Sequence, residues 1–151
     1  MATHAKGSAR ETRALDTYRQ LTRAVETLGG QLQRHLASLE LTPPQLAVLE
    51  ALLHHGPLSQ GELGRRLLRG NPSVTALVDT LERRGWAQRE RGTEDRRVVT
   101  VSLTAPGRRV VEKAFPAHAA HLTALLGVLG AEEQETLGAL CEKLGRALAG
   151  D

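Results

Sequence analysis

Aromatic residues are almost missing from this 151-residue chain: one Trp, one Tyr and one Phe, 2% of the whole. A core of that composition has to be built from Leu, Val and Ala, which helices pack well without large rings. Cysteine is nearly absent as well. Cys141 stands alone, which excludes an intrachain disulfide and suits a reducing compartment. No window approaches 18 uninterrupted apolar residues, and the opening MATHAKGSARETR carries no apolar stretch of the secretory kind. The expectation is a cytoplasmic protein with no membrane partner. Missing too are a nucleophile elbow with Ser, His and Asp, a phosphate-cradling Gly loop and a Cys-rich cluster, so no enzyme and no cofactor is expected. Lysine is scarce, 3 against 17 Arg. Arg is the better residue for forked contacts to phosphate and base edges, although a GC-rich genome would produce the same skew. The formal charge of +3 makes the chain mildly basic, which admits an acidic partner without requiring one.

What is present is a succession of amphipathic helices. The length fits one domain, 1–151. From Glu11 to Leu39 apolar residues recur at Leu15, Tyr18, Leu21, Val25, Leu28, Leu32 and Leu36. This narrow seam predicts a long helix that packs on another helix, interrupted or bent at Gly29-Gly30. Thr42 before Pro43-Pro44 opens a second helix carrying Leu46, Val48, Leu49, Leu52 and Leu53 to a stop at Gly56-Pro57. Ser59 and Glu62 form a capping box for a short third helix, with Leu63 and Leu67 inward and Arg65, Arg66 and Arg69 outward. Asn71 is expected to cap a fourth, opened by Pro72, that hides Val74, Leu77, Val78 and Leu81 and stops at Gly85. Strands over 86–91 and 98–103 flank a tip, Gly92-Thr93-Glu94-Asp95. Thr104, with Pro106 close behind, starts a fifth helix that Pro116 should kink. Gly130 starts a sixth, whose inner stripe is Leu137, Leu140, Cys141, Leu144 and Leu148. Cys141 is therefore expected to be buried and inert.

Two short helices followed by a two-stranded hairpin is the order of a winged helix-turn-helix. The fold class expected is mainly α with a small antiparallel β-hairpin wing. The fourth helix begins with small residues, polar at Asn71, Ser73 and Thr75 and a bare methyl at Ala76, which let a helix sink into a groove about 12 Å wide. The hairpin tip carries adjacent Arg96 and Arg97 directly after Glu94 and Asp95. Neighbouring arginines at a loop tip repel each other, and they are accounted for when an anion sits opposite. From Glu62 to Arg97 nine arginines face six acids, an excess that such an anion would balance.

The stretches LTPPQLAVLEALLHHGPLSQGELGRRL and SVTALVDTLERRGWAQRERGTEDRRVVTVSLTAPG resemble the MarR (multiple antibiotic resistance regulator) family of transcription factors. The likeness covers about 11–149 and includes the family's wing motif at Asp95, Arg97, Val101, Leu103 and Thr104. It implies a homodimer interlocked through 11–39 and 105–149, with 42–104 as the winged DNA-binding lobe, on a pseudo-palindromic double-stranded operator. It further implies that Arg97, braced by Asp95, enters a minor groove beside Arg96, and that Ser73, Thr75 and Ala76 face base edges. Arg65, Arg69, Arg83, Arg84, Ser59 and Gln60 would meet phosphate, with Asn71 at the helix start. A small-molecule effector would bind near Tyr18, His54 and His118 and release a repressor. The alternatives are a redox- or metal-responsive regulator of the same fold, or a winged-helix protein-interaction module without DNA binding. His118 and His121 share a helix face, but the pattern lacks the further ligands of a metal sensor, and no metal is expected.

Overall fold

The computed structural model describes residues 7–67 and 73–149. By its internal contacts the chain forms two compact units, Met1–Pro43 and Pro44–Asp151.

The first unit is dominated by α1, Ala9–Ala37, which passes Gly29-Gly30 without a break. It starts earlier than hydrophobic spacing predicted because of a local signal, Ser8-Ala9-Arg10-Glu11. The Ser8 hydroxyl accepts from the Glu11 N–H at 3.2 Å, and the Glu11 carboxylate accepts from the Ser8 N–H at 2.5 Å. This reciprocal capping box satisfies two amides that a helix start otherwise leaves unpaired. Leu15, Tyr18 and Val25 remain exposed along the helix, whereas Leu36 is fully buried.

The second unit contains α2 (Pro43–His55), β1 (Leu58–Ser59), α3 (Gln60–Leu67), α4 (Val74–Arg83), β2 (Ala87–Arg91), β3 (Val99–Leu103), α5 (Ala105–Leu126) and α6 (Ala131–Ala149). Its core is aliphatic, as the shortage of aromatics requires: Leu46, Leu49 and Leu52 of α2, Leu63 of α3, Val78 and Leu81 of α4, Val101 of β3 and Val111 of α5 are all essentially inaccessible. The sheet has three strands, where the sequence suggested two. Antiparallel β3 lies between β1 and β2, with Leu58 opposite Val101 and Arg89 opposite Val101 from the other side. A two-residue strand is too short to show alternation, so β1 could not be seen in the sequence. The strands bring the hairpin back against the start of α3.

The helix ends show why the chain turns where it does. Ser73, not Asn71, occupies the N-cap of α4, its hydroxyl accepting from the Ala76 N–H at 3.2 Å; Asn71, Arg69, Leu68 and Pro72 lie outside the described residues. At the other end Gly85 takes a left-handed φ of 74°. The Trp86 N–H reaches Leu81 O and the Gly85 N–H reaches Glu82 O, both at 2.9 Å. That double closure is the glycine-dependent helix stop expected at this position. Thr104 then caps α5, accepting from the Gly107 N–H at 3.1 Å while donating to Gly85 O at 2.6 Å. The start of α5 is thereby tied to the end of α4. α5 continues through Pro116. Beyond Gly127–Gly130 the chain bends by 103° into α6. Gly130 stands at the N-cap there, its N–H bonded to the Glu133 carboxylate at 2.8 Å.

One expectation is overturned. α6 has no buried residue in the single chain. Cys141 is exposed rather than buried, and so are its neighbours Leu137, Leu140, Leu144 and Leu148. The apolar stripe was read correctly from its spacing, but spacing does not say what covers it.

Candidate nucleic-acid interface

Three pieces of the second unit converge: the start of α3, the exposed side of α4 and the β2–β3 hairpin. The capping box of α3 forms as its spacing predicts. Ser59 Oγ accepts from the Glu62 N–H at 3.1 Å, and Glu62 Oε2 accepts from the Ser59 N–H at 2.8 Å. The Ser59 N–H, then the Ser59 hydroxyl, hold the Glu62 carboxyl below its usual range. Gln60 follows directly. Its amide nitrogen donates to Thr75 Oγ1 at 3.3 Å, so a polar bridge joins α3 to α4.

On α4, Leu77, Val78 and Leu81 are buried, and Ser73, Thr75, Ala76 and Arg83 lie on the exposed surface. The structure brings these together with Gln60 as one polar, thin-walled helix face. Arg83 donates to the Thr80 hydroxyl at 3.1 Å. Arg84 is drawn aside, its guanidinium stacked 3.7 Å from the centre of the Trp86 ring. Arg65 is exposed on α3.

At the hairpin tip the Arg97 side chain is 92% exposed. It is nevertheless aimed. Its Nε donates to Asp95 Oδ1 at 3.1 Å and its Nη2 to Asp95 Oδ2 at 3.3 Å, while its backbone N–H reaches Oδ1 at 3.0 Å. The Arg97 guanidinium, then the Arg97 backbone N–H, lower the Asp95 pKa. A forked pair of this geometry fixes the guanidinium plane more firmly than a single contact would. An open cleft of about 330 Å³, lined by Ser59, Gln60, Gly61, Arg97, Val98 and Val99, connects the tip to the start of α3. Arg96 and Arg91 flank a second cleft on the hairpin.

Sequence reading overlooked the residue at the centre of this assembly. Arg89 lies on the same sheet face as Ala87 and Val101, the face turned toward the core. Its guanidinium donates to Gln60 Oε1 at 2.7 Å, Asp79 Oδ1 at 2.6 Å, Glu82 Oε1 at 2.7 Å and Thr75 O at 3.0 Å. Burial opposes its charge, but the hydrogen bonds and charges of Asp79 and Glu82 prevail and raise its pKa. The available signal was the period-two alternation Ala87, Arg89, which directs an arginine inward where a strand would ordinarily place an apolar residue.

The residues expected to hold an effector are divided between the two units. Tyr18 is exposed on α1 of the first unit. In the second unit His54 meets Phe115 edge-on, with ring centres 5.3 Å apart, and its Nδ1 lies 3.0 Å from Glu50 O. His118 is half-buried one turn beyond Phe115 on α5. Among the described residues no three His, Cys, Asp or Glu side chains cluster as metal ligands. No single helix among them is long and apolar enough to cross a membrane.

A three-stranded sheet behind two short helices, with a braced arginine at the hairpin tip, defines a winged helix-turn-helix regulator. The MarR family model matches residues 41–99. Over 133 residues the chain is 34% identical to the uncharacterized HTH-type transcriptional regulator YkoM of Bacillus subtilis, covering 88% of this chain and 86% of that protein. A mutant MarR of E. coli, solved in complex with operator DNA, has a TM-score of 0.78 at 25% identity, covering 87% of this chain and 95% of that one. BpsR of Bordetella bronchiseptica, solved to explain regulation of its DNA binding by 6-hydroxynicotinic acid, has a TM-score of 0.77 at 26% identity, covering 84% and 91%. The chain belongs to the MarR family, and it is a transcriptional regulator rather than an enzyme.

Proposed function

We propose that this protein is a cytoplasmic homodimeric repressor that binds a pseudo-palindromic DNA operator and is released by a small-molecule effector. The observation that carries the reading is Arg97, exposed yet held by both oxygens of Asp95, and sharing a cleft with the start of α3. An unpaired surface arginine would sample many rotamers. A braced one is prepared for a narrow anionic groove, where the negative potential is strongest. α4 supplies the partner element for the major groove, with Ser73, Thr75 and Ala76 outward. Arg65, Arg83, Arg84 and Arg96, with Ser59 and Gln60, are candidate phosphate contacts around these residues; the N–H groups of Arg84 lie in the plane of the guanidinium stacked on Trp86.

Dimerisation is supported by two apolar faces that the single chain leaves open. One is on α1 at Leu15, Tyr18 and Val25, the other on α6 at Leu137, Leu140, Leu144 and Leu148. A second copy would remove both from water. Two lobes on one duplex would read half-sites about 34 Å apart, so an effector that changes lobe spacing by a few ångströms would disturb both major-groove contacts together. Small-molecule control is known for the BpsR relative; here Tyr18, His54 and His118 are the residues proposed to sense it.

The test is selection of duplexes from a random-sequence library, followed by fluorescence anisotropy against salt. We expect a two-fold related consensus and an affinity that falls with salt by a slope of about −0.9 per neutralised phosphate. Absence of any selected sequence, with no duplex binding at low salt, would reject the reading.

A further inference from the structure

We propose that Arg89 is the positioning residue of the DNA interface: it sets where α4 stands relative to α3 and the wing without itself touching DNA. This rests on the DNA-binding reading above. The Arg89 side chain is only 21% exposed, and four guanidinium N–H groups are already committed, to Gln60, Asp79, Glu82 and the Thr75 carbonyl. An arginine has five such donors, so little capacity is left for a phosphate. In addition, the Arg89 backbone N–H donates to the second oxygen of Glu82 at 3.2 Å. Glu82 thereby grips β2 by both main chain and side chain, and Asp79 and Thr75 extend the attachment two turns back along α4.

The consequence falls on Thr75. Its carbonyl is held by Arg89 Nη2 and its hydroxyl accepts from Gln60. Gln60 is itself oriented by Arg89, because an amide oxygen facing the guanidinium leaves the amide nitrogen facing Thr75. One residue therefore fixes the backbone and the side-chain hydrogen-bond direction of the position that points toward base edges. Only a planar fork reaches all four acceptors at once. A lysine ammonium, a point donor on a flexible stem, keeps the charge and loses that geometry.

The experiment compares wild type with Arg89→Lys on two probes: a duplex selected by the wild-type protein, and a scrambled duplex of the same composition. We expect Arg89→Lys to lose at least about tenfold on the selected duplex, comparable to one charge-assisted hydrogen bond, with little change on the scrambled one. The salt slope should stay that of wild type, because no phosphate contact has been removed. In Arg89→Gln, which removes the charge, the slope should also stay that of wild type; a slope reduced by about one in that variant would make Arg89 a phosphate contact and overturn the inference. So would an unchanged ratio between the two duplexes, with wild-type selectivity intact. Wild type without sequence selectivity would instead sink the DNA-binding reading and this inference with it. Folding is checked by circular dichroism. If Arg89→Lys does not fold, Asp79→Asn, a change at a half-exposed carboxylate, removes one partner only, and the selected duplex should then lose about threefold. Equal binding of both duplexes relative to wild type would count against the proposal there as well.

Discussion

Gly107 has no room for a side chain. A methyl group added there would lie 1.8 Å from the Trp86 carbonyl oxygen, a backbone atom that cannot rotate away. The same carbonyl accepts from the Thr104 N–H at 3.1 Å, so moving it would also break the start of α5. Gly107→Ala should destabilise the protein by about 3 kcal/mol, the overpacking range, seen as a lower denaturation midpoint with unchanged m-value. A midpoint equal to wild type would show that the contact relaxes at no cost. Arg97 is the opposite kind of residue, exposed and without a packing role. Arg97→Ala should leave thermal stability within about 0.5 kcal/mol, as surface changes do, and weaken operator binding at least about tenfold, the worth of a good groove contact. Full affinity in that variant would remove the wing from the interface.

At the scale of elements, three carboxylates each secure one local feature, two helix starts and the wing tip, and all three have lowered pKa values. Glu11 is held down by the Ser8 N–H and hydroxyl, Glu62 by the Ser59 N–H and hydroxyl, and Asp95 by the Arg97 guanidinium and N–H. The sign follows from linkage. A carboxylate whose pKa is depressed by folding contributes stability that is complete above its unfolded value and is lost as pH falls through the folded one. Thermal midpoints should therefore be level down to about the ordinary Glu value of 4.5 and decline below it. Glu62→Gln can still accept from Ser59 but no longer titrates, so its midpoint should fall less over that acid range. An acid decline as steep as wild type would mean that Glu62 contributes nothing to it.

For the whole molecule the decisive surface is the uncovered face of α6. Its apolar stripe is exposed along its length, with Leu140 at 58%. Leu140→Glu should leave the secondary structure of the chain in place, because the residue supports no core of its own protomer. Light scattering should then report a mass close to 16.3 kDa where wild type gives twice that. Operator binding should weaken in parallel, since one lobe alone forfeits the second half-site. A wild-type protein already monomeric at micromolar concentration would refute the twinned arrangement and leave the single winged lobe to be reconsidered.

Local chemistry was decided by the sequence: the capping box at Ser59 and Glu62, the stop at Gly85, the Thr104 cap over Gly107 and the pairing of Asp95 with Arg97 each depend on residues within five positions of one another. Such contacts form from short-range geometry, so they can be read in order along the chain. Regular spacing likewise marked Leu63, Leu77, Val78 and Leu81 as core, because helical periodicity turns them to one side. The tertiary structure alone decided the rest. Arg89 meets Gln60, 29 positions away, and Asp79, 10 away, only because the sheet and α4 stack. β1 exists only because β3 offers it an edge. Cys141 lies open because no other described segment of the second unit folds over α6. Periodicity states which side of an element is apolar; which partner arrives to cover it depends on long-range packing that no short window contains.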